Sequence, residues 1–366
     1  MSKLSFIIQE ISNQALIPLC FRIGGKATLK PTVAGVFLTK RCNSRCTICE
    51  YWKNNEYSDE LTFEEWKDVF DELKKTGVKM INFTADGEIL TRKDSFEIMD
   101  YSKKLGFLIS MNTNGLILNR HIDRIIELDP LQVQISLDAF SDENYKKIRG
   151  LSNGFTTVKR NIMELKESGY NKISIGSVLT KDNLDDIVKL QEFCLKNGFT
   201  YRITAFQFEG FGVDNTGLKD AYRESLFLLR LRDVIDKLLK HPINNTRFYL
   251  ESMINYYKQD KYHPLNCIVG TYKIFILSNG DVSLCNIMHS SAVAGNVKEN
   301  SLSEIWFGKK ANEIRKKIRE KECPSCWLSC FAEDNIRFSP LYLFKNIGYF
   351  GQKALRLFKH KAPACH

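Results

Sequence analysis

Residues 33–49 read VAGVFLTKRCNSRCTIC, and this stretch is the most informative part of the sequence. Its first seven residues form an apolar, β-branched run of the length that a buried strand needs. Cys42, Cys46 and Cys49 follow at once, in the spacing C-x3-C-x2-C. A strand that leads into a loop of three thiols predicts an α/β protein with a metal centre at the C-terminal end of its first strand.

Further apolar runs follow along the chain, with a helical pattern in every interval between them. The runs are residues 78–84, 107–113, 131–137, 172–180 and 200–208. The first helical pattern, from Thr62 to Lys75, opens with the capping-box residues Thr62 and Glu65. Six strands interleaved with helices predict a parallel α/β sheet, whose chemistry lies where the strands end.

The composition is that of an ordinary globular enzyme, with 43% hydrophobic and 26% charged residues. No apolar stretch is long enough to cross a bilayer, and Glu10 interrupts the apolar N-terminus, so neither a membrane span nor a secretory signal is predicted. The eleven cysteines are mostly clustered in a long chain, which favours metal ligands over a secreted disulfide framework. We therefore expect a cytoplasmic protein.

The net charge of +10 would suit nucleic acid, anionic lipid or a phosphorylated substrate. No RNA-binding module or aromatic basic motif accompanies it, so a nucleic-acid partner is not favoured. Residues 335–366 contain no acidic residue, and their basic side chains alternate with apolar ones. This tail either packs over the barrel as a helix or makes a peripheral contact with the inner face of the membrane.

The three clustered thiols can hold three corners of a [4Fe–4S] cluster and leave the fourth iron open. Zinc is the competing interpretation, but no fourth Cys or His lies close in sequence. The loop resembles the signature of the radical S-adenosylmethionine (radical SAM) superfamily, and the resemblance covers about residues 33–210. It implies a partial (β/α)6 TIM-like barrel in which S-adenosylmethionine chelates the open iron. Ile48 stands where that family usually has an aromatic residue.

Polar motifs at the later strand ends resemble the cofactor contacts of the same family. Residues 84–90, TADGEIL, are similar to its G-G-E-P motif, although Asp86 and Ile89 replace Gly and Pro. Taken alone, Asp86-Gly87 would be an ordinary turn. The resemblance implies a set of cofactor-binding residues, with Arg149 as a catalytic candidate that could bind a carboxylate. The set is Gly87, Glu88, Asn114, Ser136, Asp138 and Ser177.

A second group of cysteines lies near the C-terminus. Cys267 and Cys285 bracket YKIFILSNGDVSL (272–284), which predicts a hairpin with Asn-Gly at its turn. Over residues 264–332 the pattern resembles the auxiliary-cluster domain called SPASM, or its shorter form, twitch. The resemblance implies one auxiliary [4Fe–4S] cluster, with zinc as the alternative occupant. Its implied ligands are Cys267, Cys285, Cys323 and Cys326, and Cys330 is an extra thiol or displaces one of them.

These patterns divide the chain into five predicted regions. They are an N-terminal extension (1–32), the partial barrel (33–217), a helical bridge (218–263), the auxiliary-cluster domain (264–332) and the basic tail (333–366).

The expected activity is reductive cleavage of S-adenosylmethionine, with electrons from a flavodoxin- or ferredoxin-type reductant. The resulting 5′-deoxyadenosyl radical would abstract hydrogen from a hydroxyl-bearing small-molecule, sugar or lipid-linked substrate, giving dehydrogenation or epimerisation. Cys330, Cys194 and Cys20 are candidate hydrogen donors, although Cys194 lies in the apolar pattern of a helix, which favours a place in the core. Only 41 residues precede Cys42, too few for an N-terminal leader-binding domain, so maturation of a ribosomally made peptide is the first alternative. A non-catalytic iron–sulfur electron carrier is the second.

Overall fold

The computed structural model describes residues 29–53, 57–210 and 213–339. The strands are β1 (Val33–Phe37), β2 (Met80–Thr84), β3 (Leu108–Thr113), β4 (Val133–Ser136), β5 (Ile173–Leu179), β6 (Thr200–Ala205), β7 (Glu209–Gly210), β8 (Val213–Asp214), β9 (Lys273–Ile276), β10 (Asp281–Ser283) and β11 (Val293–Asn296). The α-helices are α1 (Phe63–Thr76), α2 (Ser95–Lys104), α3 (Ile122–Leu128), α4 (Asp142–Arg149), α5 (Gly154–Glu167), α6 (Leu184–Asn197), α7 (Lys219–Arg223), α8 (Ser225–Leu238), α9 (Arg247–Lys258), α10 (Leu302–Phe307), α11 (Lys309–Arg319) and α12 (Ser329–Arg337).

Strands β1 to β6 are parallel neighbours in chain order, which confirms the predicted partial (β/α)6 barrel. Side chains alternate between the two faces of each strand. Ile81, Ile135 and Ile203 are fully buried, whereas Asn82 on β2 and Gln134 on β4 are partly exposed on the inner face. Because the six strands point the same way, the loops that follow them converge on one rim of the barrel.

Helix α1 begins where the capping-box residues predict. Glu65 N donates to Thr62 Oγ1 at 3.3 Å, and Thr62 N donates to the Glu65 carboxylate at 2.7 Å. The inner face of the helix buries Trp66 and Phe70, and Gly77 ends it with a left-handed φ of 108°. The sequence therefore specifies both ends of this helix as well as its buried face.

The C-terminal region continues the sheet of the barrel. Strands β9 and β10 form the predicted hairpin, in which Gly280 has a φ of 91°. Strand β9 also pairs in parallel with β1, from Val33↔Lys273 to Val36↔Ile276, and the sheet reaches nine strands. A small C-terminal domain was expected, and the pairing of its strands with the sheet of the barrel was not predicted.

Helix α12 spans the space between the two ends of the barrel. Ser329 Oγ lies 2.6 Å from Thr204 Oγ1 on β6, and Lys273 Nζ on β9 lies 2.8 Å from the Asp334 carboxylate. The helix crosses the boundary predicted at residue 332. Residues 333–337, which were predicted to belong to the tail, are therefore part of the helix that packs against both β6 and β9.

Helices α7, α8 and α9 occupy the predicted bridge. Most of the predicted N-terminal extension and tail, residues 1–28 and 340–366, lies outside the described residues, and so does most of the segment for which membrane contact is predicted. Within the described part of the chain, no helix combines the length and apolarity needed to cross a bilayer.

Candidate functional site

The loop of clustered cysteines, residues 42–49, lies across the C-terminal rim of the barrel. Backbone hydrogen bonds hold it on two sides, since Glu88 N donates to Arg41 O at 2.6 Å and Thr47 N donates to Ile148 O at 2.9 Å. All three of its thiols line one cavity. The structure thus brings together the three predicted ligands of the open cluster.

Two glycines allow the close approach of this loop to its supports. A Cβ on Gly87 would lie 1.9 Å from Arg41 O, and one on Gly150 would lie 2.3 Å from Arg45 O. Both contacts are with backbone, which cannot rotate away as a side chain can. Gly87 also lines the cavity, as predicted. Glycine is needed at this position because a side chain would collide with the backbone of the cysteine loop.

Glu88 is 2% exposed, and three donors fix its carboxylate. Thr113 Oγ1 and Leu90 N donate to Oε1 at 2.6 and 3.2 Å, and Asn114 N donates to Oε2 at 2.6 Å. Asn114 Nδ2 also donates to Asn43 Oδ1 on the cysteine loop at 2.7 Å. Burial raises the pKa of Glu88, an effect that the three donors oppose. Because a carboxylate has about four acceptor sites, one is left for a ligand in the cavity.

Arg149 and Asp138 form a buried ion pair beside the cavity. Arg149 Nε and Nη2 both lie 2.6 Å from Asp138 Oδ2, and the two side chains are 11% and 0% exposed. Asp138 Oδ1 accepts from Val178 N at 2.7 Å, while Arg149 Nη1 lies 3.9 Å from Cys46 Sγ. Arg149 lines the cavity and Asp138 is not among the lining residues. The structure thus places Asp138 behind Arg149 rather than at the wall of the cavity, where its motif implies a direct cofactor contact.

The two predicted serines have different surroundings. Ser136 lines the cavity. Ser177 is 2% exposed, donates to Leu137 O and accepts from the Tyr201 hydroxyl at 3.1 Å. Its neighbour Val178 is the cavity-lining residue of β5 instead, so the structure does not support Ser177 as a ribose contact.

The cavity has a volume of about 340 Å³ and includes side chains that the sequence analysis did not single out. They are Tyr51, Trp52, Asn112, Gln134, Thr204, Phe206 and Gln207. Asn112, Gln134 and Thr204 are polar residues that alternate with apolar ones along their strands. That alternation is the signal by which they could have been found.

Asp86, which replaces a glycine of the family motif, also lines the cavity. Its carboxyl group is hydrogen-bonded to Tyr51, and Lys40 is the nearby cation. Burial raises the pKa of Asp86 to about 7, whereas Lys40 lowers it. The proton affinity of the Asp86 carboxyl group is therefore well above that of an exposed aspartate.

The donor set of this cavity fits an iron–sulfur cluster with one open iron. Three thiols line the cavity together with the polar residues Glu88, Asn114 and Arg149. Burial raises the pKa of Cys42 to about 11, so the thiolate needs a bound metal to form at neutral pH. Across residues 29–53, 57–210 and 213–339, no three His, Cys, Asp or Glu side chains are placed to hold a single metal ion.

The four predicted auxiliary thiols line a second cavity. They are Cys267, Cys285, Cys323 and Cys326. Burial raises the pKa of Cys285 to about 12 and that of Cys323 to about 11, so these thiols too require a metal to ionise at neutral pH. Four thiols complete the ligand set of a cubane and leave no open iron.

Cys330 lines neither of these two cavities. It lies on α12 with its side chain exposed, and the charged groups near it are Lys273, Asp334 and Arg202. The structure therefore gives no geometric support to the predictions that Cys330 is a cluster ligand or a hydrogen donor.

A short segment forms the wall between the two cavities. Leu328 lines the first cavity, and Trp327 lines the second. Gln207 in the first cavity donates from Nε2 to Ser325 O at 2.7 Å, between two of the auxiliary cysteines. The auxiliary thiols thus lie directly behind the wall of the cofactor cavity.

We expect Cys326→Ser to lose the iron of one cluster after anaerobic reconstitution, while Cys330→Ser retains the full amount. Serine is a poor replacement for a soft thiolate ligand. Of the two residues, Cys326 lines the four-thiol cavity and Cys330 does not. Iron and sulfide analysis of both variants checks this. Equal iron loss in the two variants would contradict the ligand assignment.

Comparisons with known proteins agree with both cavities. Residues 36–194 match a family model described as the radical SAM superfamily, and residues 267–330 match one described as an iron–sulfur cluster-binding domain, SPASM. Each match contains the predicted cysteines of its own cavity.

Relatives of two kinds share most of the length of the chain. The mycofactocin maturase MftC of Mycobacterium tuberculosis is 26% identical over 304 residues, which cover 82% of this chain and 75% of the relative. The AdoMet-dependent heme synthase of Methanosarcina barkeri is 26% identical over 309 residues, which cover 81% and 86%.

Solved structures share the fold. SuiB of Streptococcus suis, crystallised with its precursor peptide SuiA, has a TM-score of 0.63 and 17% identity, and the match covers 86% of this chain and 72% of SuiB. The enzyme anSMEcpe with bound AdoMet has a TM-score of 0.61 and 19% identity, with coverage of 80% and 86%.

Proposed function

This chain belongs to the radical SAM superfamily and carries a SPASM-type cluster-binding domain, and from that membership we propose that it is a maturase of a ribosomally made peptide. The cluster with bound S-adenosylmethionine supplies a 5′-deoxyadenosyl radical that abstracts hydrogen from carbon. A peptide thereby replaces the small-molecule or lipid-linked substrate that the sequence analysis placed first.

The main support for the proposal is one cavity that is lined by both the cysteine loop and the C-terminal ends of the strands. In this proposal Glu88 accepts from the ammonium group of the cofactor through its remaining acceptor site. Arg149, held by Asp138, presents Nη1 to the carboxylate of the cofactor. Asn114 and Ser136 supply hydrogen bonds to the rest of the cofactor.

Three observations support a peptide substrate. One relative is named a maturase, and a structure with the same fold contains a precursor peptide. The inner side of the cavity also presents the amide and hydroxyl groups of Asn112, Gln134 and Thr204, which can pair with the N–H and C=O groups of a peptide backbone.

We propose that the net reaction is an oxidation of the peptide, for which the auxiliary cluster supplies an electron acceptor. The support is its position directly behind Leu328 and Gln207 of the cofactor cavity. Epimerisation is less favoured, because it needs a hydrogen donor and Cys330 lines neither cavity.

Two partner predictions remain part of the proposal. A flavodoxin- or ferredoxin-type reductant supplies the electron for cofactor cleavage. The basic tail makes a peripheral membrane contact or packs on the barrel. Flotation of the full chain, and of a chain truncated after residue 339, with anionic liposomes distinguishes these roles.

Oxidation of a tetrapyrrole or a hydroxylated small molecule is the second candidate, since one relative is named a heme synthase. The test is 5′-deoxyadenosine formation by the reconstituted enzyme with precursor peptides, iron coproporphyrin or polyols. We expect stimulation and a mass loss of two hydrogens or more with a peptide only. Turnover confined to a porphyrin or polyol would overturn the peptide proposal and leave the radical chemistry intact.

A further inference from the structure

The auxiliary cavity contains a polar side chain that none of the cysteine motifs includes. His263 lines it together with the four thiols. Its Nε2 atom is buried and has no hydrogen-bond partner among the described residues. Buried polar atoms are nearly always hydrogen-bonded, because desolvation without a partner costs free energy.

The backbone around His263 is hydrogen-bonded to the segment that carries Cys323 and Cys326. Lys321 Nζ donates to His263 O at 3.1 Å, and Tyr262 N donates to Ser325 Oγ, between Cys323 and Cys326, at 3.0 Å. The Tyr262 ring also packs edge-on against Trp327, with the ring centres 5.2 Å apart. The imidazole is therefore held at the cavity by contacts that do not use its Nε2 atom.

The imidazole of His263 can offer an N–H to an acceptor in the cavity. Burial lowers the pKa of His263, and the nearby cations Lys321 and Lys261 lower it further. A neutral imidazole has one N–H donor, and sulfur atoms carrying negative charge are the acceptors that an iron–sulfur cluster would place in this cavity.

We propose that His263 donates its Nε2–H to a sulfur atom of the auxiliary cluster and thereby raises the reduction potential of that cluster. A ligand role is not required, since four thiols already complete the cluster. Hydrogen bonds to cluster sulfurs withdraw negative charge and favour the reduced state. His263 is thus a positioning residue that sets how readily the cluster accepts an electron. The inference rests on the assignment of the four cavity thiols as ligands.

The test is an EPR-monitored redox titration of the reconstituted full-length protein. A Cys42/Cys46/Cys49→Ala variant identifies the auxiliary signal. We expect His263→Leu to shift the midpoint potential of that signal to more negative values, and His263→Gln, which keeps an N–H donor, to restore part of the shift. Lys261→Met removes a nearby cation but no proposed hydrogen bond, and we expect it to cause a smaller shift.

Three results would overturn the inference, and they are distinguishable. An unchanged potential in His263→Leu would show that no such hydrogen bond acts on the cluster. Loss of iron from His263→Leu would make His263 a ligand. A triple-alanine variant that is folded by circular dichroism but binds no iron would refute the assignment of the four thiols, and the role of His263 with it.

Discussion

Gly87→Ala should bind the first cluster poorly and lose S-adenosylmethionine cleavage, by about 100-fold or more, since misplacement of reacting groups by about 1 Å can cost that much. The added Cβ would lie 1.9 Å from Arg41 O, so the cysteine loop and the turn that carries Glu88 must separate. The network from Glu88 to Asn114 and Asn43 is then broken as well. The rate of 5′-deoxyadenosine formation and the iron content measure both effects.

Gly217→Ala is the matched control for this prediction. A Cβ on Gly217 has no atom within 4 Å, and its φ does not lie in the left-handed region. We expect this variant to retain iron and activity. Full activity in Gly87→Ala would show that the close approach of the two backbones is dispensable.

Asp138→Ala is the second variant with a large expected effect. It leaves the Arg149 guanidinium buried without its partner, and loss of one member of a buried ion pair typically costs about 3–5 kcal/mol. Because Arg149 also lines the cofactor cavity, its displacement should weaken S-adenosylmethionine binding. Urea unfolding gives the free energy of unfolding, and equilibrium dialysis gives the affinity.

The control is a second, exposed ion pair on α4, the helix that also carries Arg149. Glu143 and Lys147 are 2.8 Å apart, but their side chains are 79% and 58% exposed. Solvent screening makes such a surface pair contribute little. We expect Glu143→Ala to be indistinguishable from the native protein in both measurements. A similar loss in the two variants would contradict a specific role for Asp138.

The parallel sheet and the first set of thiols were predictable because local patterns specify them, whereas the closed form of the barrel and the auxiliary ligand set were implied by the family resemblance. The first loop joins a strand to three closely spaced cysteines, and the Thr62–Glu65 capping box fixes the start of the following helix. The Asn279-Gly280 turn likewise specifies the C-terminal hairpin. Each of these features depends on residues that are close together in the chain.

The features that were not predicted depend on contacts between distant segments. The pairing of β9 with β1 joins residues separated by most of the chain. Ser177 is an exception, since it lies in phase with the buried Ile173, Ile175 and Leu179, and side-chain alternation alone indicates that Val178 points to the other face of the strand. The role of Asp138 required the position of Arg149 on a later helix. His263 has no motif, and only the cavity reveals it.

The substrate class was harder to predict than the chemistry. A small-molecule or lipid-linked substrate was expected, whereas one relative is named a maturase and another a heme synthase. The motifs at the strand ends concern the cofactor, and they do not depend on which substrate the inner side of the cavity accepts.

The most direct test of the central claim is 5′-deoxyadenosine formation by anaerobically reconstituted protein supplied with S-adenosylmethionine and dithionite. The Cys42/Cys46/Cys49→Ala variant is measured in parallel. The account predicts product from the native protein and none from the variant, which should retain the iron of the auxiliary cluster. A native protein that holds both clusters but neither binds nor cleaves S-adenosylmethionine would contradict the account and favour an electron carrier.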